Sequence, residues 1–287
     1  MTAPTLARSE WLLTAEPQPP GAYPGVPFEE YFAWSNCSKH MLDAVARSPA
    51  HLRAALEQPR KRTPAMAFGA AVHAAVLEPE KFSRYYREAP AQDKRTKAGR
   101  LAYEAAETAG HILLREEELH AILLMRDAIR AHPFASILLA PEDGEAEVSI
   151  SWVDEETGVP CRARPDFLNH AHNVCVDLKT AENASMGAFS RACAQYRYHV
   201  QAQMYLSGAS AAGVNAQTFI FVVVETDAPW ACACYELSPD DLQLGGTLYR
   251  VGLRIYRQCL ETGVYPGYPE EIRVLELPQW ARFVPIS

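Results

Sequence analysis

Two strand-like stretches joined by a short turn constrain this chain most. Cys161-Arg-Ala-Arg-Pro-Asp-Phe-Leu168 and Val174-Cys-Val-Asp-Leu-Lys-Thr180 each read as a strand, so together they predict a hairpin. In that hairpin Asp166 closes the first strand, and Asp177 with Lys179 closes the second. Two carboxylates and an ammonium then meet at one end of a sheet. Convergent carboxylates repel, so a positive charge belongs between them. A divalent cation fits, because hard ions prefer oxygen ligands. Asp177 and Lys179 are two residues apart, hence on one face of a pleated strand. That placement suits the orientation and deprotonation of a water. The blander reading is a solvated strand end, since an acid-x-Lys triplet arises about once by chance in a chain this long. The Pro165-Asp166 pair on the adjoining strand weighs against it.

The remainder of the 287 residues surrounds this hairpin with ordinary globular material: 48% hydrophobic, 22% charged and 10% aromatic. No run of eighteen apolar residues predicts a membrane span, and Met1 to Pro20 lacks the pattern of a secretory signal. The seven cysteines are odd in number and include no Cys-x-x-Cys. They read as reduced thiols of a cytoplasmic protein, with no iron–sulfur cluster. No Gly-x-x-x-x-Gly-Lys-Ser/Thr occurs, so no ATP-driven motor is expected. The net charge of −8 argues against nucleic acid when taken alone. Net charge governs solubility and steering, however, not what a local groove holds.

In chain order, residues 1–30 are rich in Pro and Gly and predict a flexible N-terminal arm. Tyr31, Phe32 and Trp34 form an aromatic anchor. Ser38 and Ser48-Pro49 are helix-start signals. Arg60, Lys61 and Arg62 form a basic cluster, read as a solvated face or a phosphate contact. Residues 64–77 predict a helix packed on nearly all sides, with Gly69 and His73 on one face. An interior glycine costs about 1 kcal/mol against Ala, which points to close approach of a backbone or ligand. His73 is then either a satisfied core histidine or a buried ligand. Residues 81–100 are locally basic (Arg95, Lys97 and Arg100 among them) with Tyr85 and Tyr86 interleaved. They read as a grip on a phosphate backbone or as a solvated loop.

Helix is expected over 98–133, then alternation over 145–153 with Glu147 near its start. Helices at about 186–196 and 198–210 follow, the second carrying Gln201 and Tyr205 on one face. Residues 217–225 are a continuous apolar run, as in a strand covered on both faces. A strand at 230–237, a helix at 238–261 and a Pro-rich tail complete the chain. The predicted fold is an α/β sandwich: a central mixed sheet flanked by helices, with a helical N-terminal part.

Gly69-x-x-x-His73, Glu147, Arg164-Pro-Asp166, Asp177-x-Lys179 and Gln201-x-x-x-Tyr205 occur in this order. With them the chain resembles the PD-(D/E)xK nucleases of the RecB-like branch, and more narrowly the RecE/exonuclease VIII nuclease domain of phages and prophages. The likeness extends to Ser38–Arg53 and Thr96–Arg100 and covers roughly residues 30–265. It implies a restriction-endonuclease-like core in a single nuclease domain, residues 31–287. His73, Asp166, Asp177 and the Leu178 carbonyl would be metal ligands. Glu147 would hold the same or a second ion; it is preferred to Glu145 because it adjoins the strand pattern, but the two are not cleanly separable. Lys179 would position the attacking water. Gln201 and Tyr205 would support Lys179 and nearby DNA, and Arg164 would touch a phosphate, with Arg95, Lys97 and Arg100 lining the groove. Asp177 stands where the wider superfamily usually has Glu, a variant common in the RecB-like branch. The implied activity is Mg²⁺-dependent exonucleolysis of linear duplex DNA, 5′ to 3′, with Mn²⁺ able to substitute. The implied partners are duplex ends, a RecT-like annealing protein and further copies in a ring, in a bacterial host's cytoplasm. A Cas4-like or other RecB-type repair nuclease and a catalytically silent DNA-binding member are the alternatives. The first lacks its four-cysteine cluster here.

Overall fold

The computed structural model describes residues 16–58 and 63–277. The basic cluster Arg60–Arg62 therefore lies outside the described residues, as do residues 1–15 and the end of the Pro-rich tail.

The chain begins with strand β1 (Gly21–Tyr23) and helices α1 (Phe28–Ala33), α2 (Lys39–Arg47), α3 (Pro49–Glu57), α4 (Pro64–Leu77) and α5 (Pro79–Tyr85). An excursion follows: β2 (Tyr86–Glu88), α6 (Lys97–Thr108) and β3 (Ile112–Leu114), with β2 and β3 parallel. Helices α7 (Glu116–Ala131) and α8 (Pro133–Leu138) lead into β4 (Gly144–Ala146), β5 (Ser149–Val153), β6 (Pro160–Ala163), β7 (Phe167–Asn169) and β8 (Val174–Ala181). Helices α9 (Met186–Gln195) and α10 (Tyr198–Ala211) cross over to β9 (Thr218–Glu225). Strand β10 (Cys232–Glu236) and helix α11 (Pro239–Thr262) finish the fold.

Local chemistry explains the helix ends. Thr63 and Ser238 cap α4 and α11, accepting from Met66 N and Asp241 N at 3.2 Å, each with proline in the first turn. The helix expected over 98–133 is in fact two, parted at Gly110 (φ 77°) by the short strand β3. A left-handed turn ends the first helix.

The central sheet runs β10-β9-β8-β7-β4 and is mixed: β8 and β9 are parallel, the other neighbours antiparallel. Parallel pairing requires the crossover that α9 and α10 supply. Both sheet faces are covered. On one, Cys175, Phe219, Phe221 and Val223 pack with α2, α10 and α11. On the other, Val176, Leu178, Val222 and Val224 pack with α4 and α7. Coverage of both faces accounts for the unbroken apolar run of β9.

A second sheet, β1-β5-β6, lies beside the first. It overturns the flexible-arm expectation for residues 16–30. β1 pairs with β5, Gln18 N donates to Asn36 Oδ1 at 2.8 Å, and Ser151 Oγ donates to Gln18 O at 2.7 Å. The Pro and Gly content marked a chain without helix but did not exclude an edge strand.

The crossover helix packs on α11 at backbone range. A Cβ built on Gly245 would lie 2.1 Å from the carbonyl oxygen of His199. Gly245→Ala should therefore destabilise the fold by about 1–3 kcal/mol, outweighing its helix-propensity gain. The midpoint of urea unfolding would fall; an unchanged or raised midpoint would contradict this packing.

Candidate active site

Two antiparallel chains pass from the central sheet into the second sheet together, and both break at the same level. β4 pairs with β7 in the first sheet, and β5 pairs with β6 in the second. The expected strand 145–153 is therefore interrupted at Glu147, whose backbone is left-handed (φ 56°). The expected strand 161–168 is interrupted at Arg164-Pro165-Asp166, so Asp166 opens β7 rather than closing a longer strand. Pro165 contributes no N–H to a ladder. A left-handed non-glycine residue costs about 1–3 kcal/mol and persists only where its surroundings hold it. Here Glu147 N donates to Asp166 O at 3.0 Å, and Arg164 Nε lies 3.0 Å from both Glu147 O and Glu147 Oε2.

The hairpin expected at this place exists, but its arms are unequal. β7 pairs with β8 only as far as Val176, while β8 continues to Ala181. The Leu178 peptide therefore faces the space β7 has vacated. Its N–H donates to Asp166 Oδ2 at 2.7 Å, and its carbonyl takes a hydrogen bond from His73 of α4. His73 Nδ1 stands 3.5 Å from Asp166 Oδ1. One potential ligand atom from each of His73, Glu147 and Asp166 lies within 4.8 Å of the others. Glu145 is outside this group, half-exposed and 3.9 Å from His170.

The other face of β8 carries a second cluster. Asp177, 2% exposed, forms an ion pair with Lys179. Gln201 of α10 bridges the two: its Nε2 donates to Asp177 Oδ1 at 2.5 Å, and its Oε1 accepts from Lys179 Nζ at 3.3 Å. The ammonium also sits 4.6 Å from the centre of the Tyr198 ring. Asp177 is thus held by Lys179 and Gln201, outside the three-residue group. Tyr205 packs edge-on against Phe219 at 6.1 Å, in the core rather than at a nucleic-acid surface.

The other expected DNA contacts lie elsewhere. Arg95 pairs with Asp93 at 2.7 Å, and Lys97 and Arg100 are exposed in the first turn of α6. Arg164, with a side chain 11% exposed, turns inward to Glu147 and to the Val26 carbonyl. Gly69 meets no backbone: a Cβ there would find only Thr180 Oγ1, at an ordinary 3.8 Å. Tyr198 and Tyr31 join the site without being among the residues the sequence marks for it. Tyr198 lies three residues before Gln201, on the same side of its helix, a spacing that could have revealed it. Tyr31, whose ring lies 5.2 Å from the Arg164 guanidinium, had no comparable signal.

Electrostatics separates the two clusters. Burial, then the charge of Asp166, lifts the Glu147 carboxyl to about 7. Burial and Asp177 push Asp166 well above the carboxylate range. Burial lowers the His73 imidazole, against the pull of Glu147 and Asp177. Lys179 differs: burial would lower it, but Asp177 and Asp166 more than compensate, and its pKa is raised. The three-residue group is thus a neutral imidazole beside two carboxyls that resist ionising together. This donor set fits a divalent cation, which would relieve the repulsion.

This mixed sheet flanked by helices, with acids gathered at a strand edge, defines a restriction-endonuclease-like α/β domain. The chain belongs to the family described as PDDEXK-like domain of unknown function (DUF3799), whose model matches residues 36–278. Its structure is similar to that of a protein from Eubacterium rectale provisionally named an exonuclease, with 13% identity and a TM-score of 0.58, over 88% of this chain and 95% of that one. At that identity the likeness is one of fold. SSO0001 aligns over 66% of this chain and 86% of its own, with 16% identity and a TM-score of 0.30, too loosely to carry an argument. No curated protein matched in sequence. Among the described residues no helix is long and apolar enough to cross a membrane.

The raised Glu147 carboxyl has a thermodynamic consequence. Between its unfolded value near 4.5 and its folded value of about 7, the folded state binds the extra proton. Stability must therefore fall as pH rises through that window. In a chelator, the melting temperature should drop between pH of about 5 and 8. Mg²⁺ or Mn²⁺ should restore it more at the higher pH, and Glu147→Gln should flatten the slope. A melting temperature independent of pH and of metal would contradict this.

Proposed function

We propose that this protein is a divalent-metal-dependent exonuclease that hydrolyses linear double-stranded DNA from its ends, 5′ to 3′. The observation that carries this reading is the convergence of His73, Glu147 and Asp166 within 4.8 Å beside the charged Lys179. Membership of the PDDEXK-like family supports the nuclease chemistry. The name of the Eubacterium rectale neighbour and the resemblance to RecE-type nucleases support the exonucleolytic mode.

His73, Glu147 and Asp166 would hold Mg²⁺ or Mn²⁺, with the Leu178 carbonyl and, after release from Lys179, Asp177 as further oxygen donors. Such an ion neutralises the phosphodiester and acidifies the attacking water. The imidazole makes Mn²⁺ an acceptable substitute.

The chain's own residues do the rest. Lys179 keeps its proton, so it acts as a fixed cation and not as a base. It donates to the attacking water and to phosphoryl oxygens as negative charge grows on them. Gln201 sets the geometry by gripping Asp177 with its amide nitrogen and Lys179 with its amide oxygen. Tyr198 covers the ammonium and limits its exposure to water. Lys97 and Arg100, with Arg95 once freed from Asp93, offer cations to the phosphate backbone. The product single strands would pass to a RecT-like annealing partner, and the working form is a ring of several copies in the cytoplasm of a bacterial host.

The test uses linear duplex labelled at either the 5′ or the 3′ end, beside a covalently closed circle, with Mg²⁺. Early release of the 5′ label alone, with the circle intact, is the expected outcome. Cutting of the circle overturns the exonucleolytic part, and early release of the 3′ label reverses the polarity. Lys179→Ala should lower the rate by at least about 10²–10³-fold with an unchanged circular-dichroism spectrum. Full activity in that variant would overturn the mechanism.

A further inference from the structure

The N-terminal segment around α1 reaches Glu147 through Arg164, with Arg162 packed on the same segment. Arg164 donates from Nε to the Glu147 carbonyl, contacts Glu147 Oε2 at 3.0 Å, and donates from Nη2 to the Val26 carbonyl. Its guanidinium lies 5.2 Å from the centre of the Tyr31 ring. Its neighbour Arg162, itself buried, donates to the Tyr31 carbonyl and stacks over Tyr31 and Phe32 at 5.0 and 5.7 Å. The aromatic anchor is seated from its far side too: Trp34 packs edge-on to Tyr31 at 5.3 Å and to Tyr23 of β1 at 5.6 Å.

We propose that Tyr31 is a positioning residue of the active centre: with the Val26 carbonyl it fixes the Arg164 guanidinium, and through it the left-handed backbone and carboxylate of Glu147. The inference rests on the proposed metal-dependent function. Its physical content is the rigidity of a planar guanidinium. Nε and Nη2 point in set directions, so a fork held at Val26 O and under the Tyr31 ring can meet Glu147 in one orientation. Without the ring, the fork keeps its hydrogen bonds but loses the surface that fixes its plane. Glu147 then samples positions away from His73 and Asp166. Arg164 thereby acts on Glu147 rather than on a phosphate.

The test is calorimetric titration of the full-length protein with Mn²⁺ in the absence of DNA, so that binding is read without turnover. Tyr31→Leu should weaken Mn²⁺ binding about tenfold at an unchanged circular-dichroism spectrum, while Tyr31→Phe, which keeps the ring, should bind as the wild type does. Arg164→Lys keeps the charge but not the fork, and should weaken binding by a similar factor. Wild-type affinity in folded Tyr31→Leu and Arg164→Lys overturns the positioning role alone. Failure of the wild type to bind Mn²⁺ overturns the metal-dependent reading itself, and the inference with it.

Discussion

The site depends on one unequal pair of strands. β8 runs five residues past its last partner on β7, so the Leu178 peptide is left without a ladder neighbour on that side. A backbone N–H and C=O in a covered sheet cannot be left bare, because each would cost roughly what a lost hydrogen bond does. Asp166 satisfies the N–H and His73 satisfies the carbonyl. That single requirement draws a side chain from the β7 strand start and another from α4 to the same point. Glu147 joins them because its own N–H bonds the Asp166 carbonyl across the break in the neighbouring strands.

The pleat then divides the chemistry. Asp177 and Lys179 project from β8 toward α10, where Gln201 and Tyr198 receive them, while Leu178 between them packs toward α4 and α7. The two clusters are neighbours in sequence but lie in different electrostatic settings. One is an ion pair with a bridging amide. The other has two carboxyls pushed upward, Glu147 by burial and Asp166, and Asp166 by burial and Asp177. The first is a stable arrangement of fixed charge; the second is stable only when protonated or when a cation is present. A nuclease centre needs both properties side by side, since one group must stay charged while the other must bind reversibly.

Much of this was legible in the residues. Asp166, Asp177 and Lys179 stood out because a hairpin must bring them together, and Gln201 because helical spacing puts it on the face of a buried helix. His73 stood out through its polarity in an otherwise apolar helix. The placement of Asp166 at a strand start, and the interruption at Glu147, were not legible. Alternation over 145–153 continues through Glu147 without a glycine to mark the break, and a left-handed backbone at glutamate leaves no compositional trace. Gly69 was misleading for the converse reason: a glycine marks permission for close approach, not its occurrence, and here only a hydroxyl at 3.8 Å uses it.

The N-terminal arm shows the same limit in another form. Its composition spoke for a flexible arm, yet the carbonyl of Val26 within it and that of Tyr31 just beyond it receive two largely buried guanidiniums. A buried cation must find acceptors, and on the side of the N-terminal segment these are main-chain oxygens and aromatic faces. Main-chain oxygens are present at every position, so no residue type announces which of them will be used. The demand is visible only from the other partner: Arg162 and Arg164 are two residues apart, so a pleated strand puts both on one face and buries them together when that face is covered. A buried arginine in such a strand requires a polar chain segment packed over it. In this fold that segment is the stretch from Val26 to Tyr31: Val26 precedes α1, and Tyr31 lies in its last turn, where the helix ends before a residue four positions on could bond its carbonyl.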